Sequence, residues 1–202
     1  IKKCNLVIEA EEGASNTNYG VDSLRSNTSG RYNIGIGLKA LNKNSTGSWN
    51  TAIGSFSLGL NTTGSRNTAT GYGALYKNTT GGYNTANGYQ ALYSNSTGKE
   101  NAAYGSFAVK ANTSGSYNVA NGHSALYKNT TGGYNSAFGY QALYNNTTGS
   151  YNIAFGRQAL YSNTSGSDNL ALGSRALFRN TSGTYNVALG TESLLGNTSG
   201  KY

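Results

Sequence analysis

The sequence predicts an all-β protein, a β-solenoid (β-roll) of eleven 17-residue coils that assembles as a parallel homotrimer. Three observations predict it. First, from Asn16 to Tyr202 the chain is eleven copies of one 17-residue unit, N-x-A-x-G-x-x-A-L-x-x-N-T-[TS]-G-x-Y, without insertion or deletion; a fixed short period of this kind belongs to a quasi-one-dimensional array. Second, two glycines in every copy leave no window for an ordinary helix, and helical repeats run to about 33 residues or more. Third, both faces of the predicted first strand of each copy are suited to burial, more than a lone narrow coil can accommodate, and a parallel trimer is the simplest closed way to cover the outer one.

Slots are numbered 1 to 17 from the asparagine that opens each copy; slots 1, 5, 12 and 15 are Asn, Gly, Asn and Gly in all eleven. Residues 1–15, IKKCNLVIEAEEGAS, stand outside the repeat. Leu6-Val7-Ile8 has strand composition, and Glu9-Ala10-Glu11-Glu12-Gly13 is expected to break it, making this segment a cap or a joint to what precedes. Residues 16–202 form the solenoid domain. Ile1 is not an initiator Met and Tyr202 is the last slot of a copy, so the chain reads as an excerpt of something longer.

Within a copy, slots 1 to 5 alternate and predict a strand, with Asn, Ala and Gly on the small inward face and slots 2 and 4 outward. The outward slots are often large and apolar: Ile153 and Phe155, Leu170 and Leu172, Val187 and Leu189. These six are the candidate chain–chain interface. Slots 8 to 10, as in Ala159-Leu160-Tyr161, predict a second strand, with the slot 9 Leu as the main core side chain. Slots 12 to 15 predict a turn in which the slot 15 Gly supplies positive φ and the slot 12 Asn caps the turn or stacks in a ladder. At about 4.8 Å per coil, eleven coils make a rod on the order of 50 Å long.

Each slot 12 asparagine also opens an N-glycosylation sequon: Asn27, Asn44, Asn61, Asn78, Asn95, Asn112, Asn129, Asn146, Asn163, Asn180 and Asn197, with Asn145 adding one more. Two readings stay open for them, a structural asparagine ladder or one exposed glycan per coil sheathing an extracellular filament. Threonines at slots 13 and 14 give a third functional class, a regular hydroxyl array for ice or a crystalline polysaccharide, although a turn beside Gly is a poor place for a flat face.

Composition narrows the classes further. With 29 Gly, 17 Tyr, no Pro and 11% charged residues, the chain is neither collagen-like nor a charged disordered tract. The net charge of +8 comes from bases dispersed over variable slots (Lys43, Lys77, Lys128, Arg179), which predicts a solvated face and no nucleic-acid partner, the alternative being a weak electrostatic site for an acidic polysaccharide or nucleic acid. Cys4 is the one cysteine, so no internal disulfide forms. No apolar run is long enough to span a bilayer. His123 is the one histidine and occupies a variable slot, where an exposed stacking role is expected. The seven acids never recur as a pair, so no catalytic dyad, metal cage or cofactor site is indicated, and the chain reads as a non-enzymatic protein.

At Asn152-Ile153-Ala154-Phe155-Gly156, Asn169-Leu170-Ala171-Leu172-Gly173 and Asn186-Val187-Ala188-Leu189-Gly190 the repeat resembles the N-[SV]-[VA]-A-[IL]-G core of trimeric autotransporter adhesin heads, with one residue fewer between Asn and Ala. It is also similar to the NTAxGxxAL…NTTG arrays in the shafts of phage tail fibres and related surface proteins. The resemblance spans residues 16–202. It implies a left-handed trimeric β-roll in an extracellular or virion-borne fibre, whose partners are copies of itself and surface glycans.

Overall fold

A computed structural model describes residues 7–11 and 14–201. Lys2, Lys3, Cys4, Leu6, Glu12, Gly13 and Tyr202 lie outside the described residues. No helix occurs among the described residues. The architecture is a twelve-stranded sheet whose strands follow one another in chain order. Strand β1 (Val7–Glu11) pairs antiparallel with β2 (Ala14–Tyr19), with Val7 opposite Asn18. From β2 onward each copy contributes one strand, and every pairing is parallel with a shift of one period, as in Ala154 opposite Ala171. The chain is thus a parallel β-solenoid. The charged run Glu9-Ala10-Glu11 does not break the leader strand as expected: all three residues belong to β1, because the hairpin pairs them with Asn16, Ser15 and Ala14.

The strands after β2 are only three residues long, slots 2 to 4, and their centre is the buried slot 3 alanine. Asn135 and Ala137 are buried while Ser136 and Phe138 between and beyond them are part-exposed, as strand alternation requires. A methyl group is the right size at slot 3 because the coil is narrow. In β3 (Ile34–Ile36), where Gly35 takes that slot, the Ser23 hydroxyl fills the space and donates to the Gly35 carbonyl at 2.8 Å.

The expected second strand is absent, and the backbone shows why. Slots 6 to 11 form a continuous turn in which slots 7 and 9 take left-handed φ, 55° at Gln141 and 52° at Leu143. A strand would send Ala142 and Leu143 to opposite faces; here both are fully buried. Left-handed φ at a non-glycine costs about 1–2 kcal/mol per residue, and burying a leucine returns about 1.5–3 kcal/mol, so the core leucine offsets its own backbone strain. Even the β-branched Val109 holds φ 52° at this slot.

The two invariant glycines exchange the roles expected of them. Slot 5 carries the positive φ, for example 126° at Gly139. Slot 15 is glycine for want of room: a Cβ on Gly149 would lie 2.3 Å from the Gly166 carbonyl oxygen and 2.5 Å from Asn146 Oδ1. Coil-to-coil hydrogen bonds continue through the turns. Leu143 N–H donates to the Ala159 carbonyl (2.9 Å), and three successive N–H groups, of Thr130, Thr131 and Gly132, converge on the Thr147 carbonyl.

Candidate functional site

Because the interior is filled, the functional surfaces are the columns of side chains that a one-period stack creates. The slot 12 asparagines make the first column, and it lies inside. Asn129 Nδ2 donates to Asn112 Oδ1 of the preceding coil (2.8 Å) and to the Gly132 carbonyl of its own turn (2.9 Å), and the same pair of bonds recurs from Asn44 to Asn180. Nine of the eleven, Asn44 to Asn180, are fully buried; Asn27 and Asn197 in the end coils are half-buried. The ladder reading of these residues is therefore present in the structure. The expectation that a sequon in a tight turn is exposed fails here, because slots 13 and 14 take the exposure while slot 12 points in. A glycan would replace one of the two donated protons at a site with no exit to solvent, so the geometry favours the ladder over glycosylation. Asn145 differs: it is half-buried, and its amide donates to the Tyr161 carbonyl at 3.1 Å. Slot 1 builds a parallel ladder, in which Asn135 Oδ1 accepts from both the backbone N–H and Nδ2 of Asn152.

The slot 13 hydroxyls are also used internally. Thr130 Oγ1 donates to the Thr147 carbonyl at 3.0 Å, and Thr113, Thr147 and Thr164 repeat the contact. A hydroxyl array for a repeating lattice is thus already engaged along this column.

The six candidate interface residues are brought together on the outer face of the last three strands, β10 (Ile153–Phe155), β11 (Leu170–Leu172) and β12 (Val187–Leu189). Phe155 is 58%, Val187 58% and Leu189 63% exposed, Ile153 and Leu172 are exposed, and Leu170 is half-buried. Phe138 in β9 (Ser136–Phe138) stacks on Phe155 at 5.5 Å and extends the patch by one coil. The same face is apolar again at Ile34, Ile36 and Ile53, but polar between, at Thr68, Thr70, Thr85 and Asn87.

A second surface was not legible from single copies. Slots 6, 7, 10 and 11 lie side by side, as ring contacts show: Phe107 at slot 7 packs edge-on against His123 at slot 6 (5.8 Å) and Tyr127 at slot 10 (6.3 Å). Tyr127, Tyr144, Tyr161 and Phe178 then stack with centroids 5.1, 5.3 and 5.2 Å apart. His123 stacks on Tyr140 at 5.6 Å, the role expected of it. Cations rest on the rings: Lys77 on Tyr93, Lys110 on Phe107 and Tyr127, Lys128 on Tyr144, and Arg175 on Phe178. Burial, followed by the neighbouring phenols, raises the pKa of Tyr93 and Tyr144. These four slots hold nine of the fifteen Lys and Arg and two of the seven Asp and Glu, or +7 of the +8 net charge. Most of the bases that look dispersed in the sequence are therefore gathered on one face, while the charge of the others is nearly cancelled by the remaining acids of the chain. Its two acids sit in the first and last coils, each beside an arginine: Asp22 with Arg25 (3.3 Å) and Glu192 with Arg175 (2.5 Å). Where slot 7 is glycine, at Gly73, a hollow of about 160 Å³ opens between Phe56, Tyr72, Tyr76, Gln90 and Tyr93, smaller than the roughly 300–1,000 Å³ of a typical small-molecule site.

A third column, slot 17, is exposed and stacked: Tyr117, Tyr134 and Tyr151 are 4.7 and 4.9 Å apart. Arg66 lies over both Trp49 and Tyr83 and donates to the Tyr83 hydroxyl. The charge of Glu100, then Tyr134 and a hydrogen bond to Glu100, raise the Tyr117 pKa. Among the described residues no three His, Cys, Asp or Glu side chains come together, and no helix is long and apolar enough to cross a membrane. No protein-family model, curated protein or solved structure matches the chain.

Proposed function

We propose that this chain is the rigid shaft of an extracellular fibre, a phage tail fibre or a cell-surface adhesin, in which copies associate in parallel through the outer strand face, as a trimer. The reading assigns no catalytic residue and no cofactor. One observation carries it: over the last three coils, joined by Phe138 of the coil before them, the slot 2 and slot 4 side chains form a contiguous apolar surface that a lone solenoid leaves in water. Two structural features support it. The interior is tied by two asparagine ladders and by backbone bonds between neighbouring coils, so stiffness comes from nearest-neighbour contacts and length scales with copy number. The apolar slots are also not uniform, and association is expected to be tightest over β9 to β12.

The test is the mass in solution, by light scattering and sedimentation, of the native chain and of Phe155→Asp combined with Leu172→Asp. Both side chains are exposed in the single chain, so the variant is expected to keep the native circular dichroism while its mass falls to that of one chain. A native protein that is monomeric at micromolar concentration with unchanged thermal stability would refute the association. The glycan-sheathed filament is not favoured, because its attachment atoms are the buried ladder amides.

A further inference from the structure

We infer that the face built from slots 6, 7, 10 and 11 is a binding surface for a linear acidic polysaccharide. The inference does not depend on whether copies associate through the strand face. Charge complementarity is its first support: between the second and tenth coils this face carries cations and no acid, and it holds +7 of the net +8. A scattering of solvated bases would have divided them among the faces.

The arrangement of the cations selects the shape of the ligand. Lys77, Lys128 and Arg179 at slot 11, Lys110 at slot 10 and Arg157 at slot 6 fall in coils four, seven, ten, six and nine, a band that spans about 30 Å along the solenoid axis at 4.8 Å per coil. A small anion meets one or two of these groups, whereas a polyanion lying along the solenoid axis meets them all and gains from releasing its counterions. Lys77, Lys128, Arg157 and Arg179 are exposed, and Lys110 is half-buried across two rings.

The rings decide between the two polyanions of this length. Single-stranded nucleic acid is held by stacking bases on open aromatic faces. Here the faces are covered by each other: the slot 10 rings from Tyr127 to Phe178 lie 5.1–5.3 Å apart and within 11° of parallel, and Tyr76 and Tyr93 stack at 5.3 Å, which leaves no gap for a base. What remains is ring edges with phenol hydroxyls, and the amides of Gln141 and Gln158, which are joined to each other at 3.0 Å. Hydroxyl and amide edges beside ammonium groups suit a carbohydrate bearing carboxylates.

The experiment measures binding of the full chain to polygalacturonate by calorimetry at low ionic strength. The same polymer with its carboxylates methyl-esterified and a single-stranded oligothymidylate are the comparison ligands. Lys77→Gln/Lys110→Gln/Lys128→Gln is compared with Arg31→Gln/Arg66→Gln/Lys99→Gln, which removes equal charge from slots 16 and 17; circular dichroism confirms that both fold. Expected are binding of polygalacturonate, loss of binding on esterification, and affinity weakened roughly tenfold or more in the first variant alone. Equal weakening in both variants would show that net charge suffices and overturn the assignment to this face. Tighter binding of oligothymidylate would overturn the polysaccharide, and no binding of either polyanion would overturn the inference altogether.

Discussion

Replacing Asn129 by alanine removes one rung from the middle of the slot 12 ladder. Three hydrogen bonds go with it: to Asn112 Oδ1 (2.8 Å), to the Gly132 carbonyl (2.9 Å), and from Asn146 Nδ2 (2.8 Å). The Gly132 carbonyl keeps the amide of Asn118 at 2.9 Å. Asn112 Oδ1 and one proton of Asn146 Nδ2 are left buried without partners, where the native interior has no such group among the described residues. At about 1–3 kcal/mol for each orphaned group, plus a small void, the expected loss is roughly 3–6 kcal/mol. For a chain of this length about 2–4 °C accompanies each kcal/mol, so thermal unfolding followed by circular dichroism should move down by on the order of 10 °C. Asn197→Ala supplies the comparison. Asn197 is half-buried, with one donated bond at 3.1 Å and one accepted from Gly200 N–H at 3.1 Å, so its loss is expected to cost about 1 kcal/mol. Asn129→Asp keeps the shape but places an oxygen against two acceptor oxygens, and should destabilise more than alanine does. Equal losses at Asn129 and Asn197, or an aspartate better tolerated than alanine, would refute the reasoning that directional amide bonds hold the coils together.

Two further outcomes follow from the same geometry. Gly149→Ala sets a methyl group 2.3 Å from a backbone oxygen of the next coil and should abolish cooperative thermal unfolding, whereas Gly82→Ser at slot 16, where an added Cβ meets the Ser65 carbonyl oxygen at 3.0 Å and other copies accommodate Ser150 and Ser167, should move the melting curve only slightly. The raised pKa values of Tyr93 and Tyr144 give a pH dependence of definite sign. Their neutral forms are favoured in the fold, so this contribution is complete below the ordinary phenol value of about 10 and is lost as pH rises through the higher folded values. Melting temperatures should therefore begin to fall above about pH 10, and replacing both residues by Phe should reduce that fall.

The sequence by itself determined the repeat, its period, the parallel stacking and most of the core. A strict 17-residue period with no insertion admits only one-period register, so every slot becomes a column, and the alternation at slots 1 to 4 is short-range chemistry that any copy displays. It offered the slot 12 asparagine as a ladder residue, since identical amides at one coil spacing can bond to one another, but left an exposed glycan site open until burial of the side chain was seen. Tertiary structure decided what depends on φ and on neighbouring coils. Left-handed residues at slots 7 and 9 turn the expected second strand into a turn that buries Ala142 and Leu143 together, and no propensity marks Gln141 or Leu143 for that conformation. The next coil's carbonyl and amides, lying within 3 Å of an added Cβ, require glycine at slot 15, which looks like a turn glycine from within one copy. The basic and aromatic face has the same origin: slots 6, 7, 10 and 11 become neighbours only because the backbone reverses between them, which brings Phe107 against His123 and Tyr127 and sets lysines from separate coils in one band.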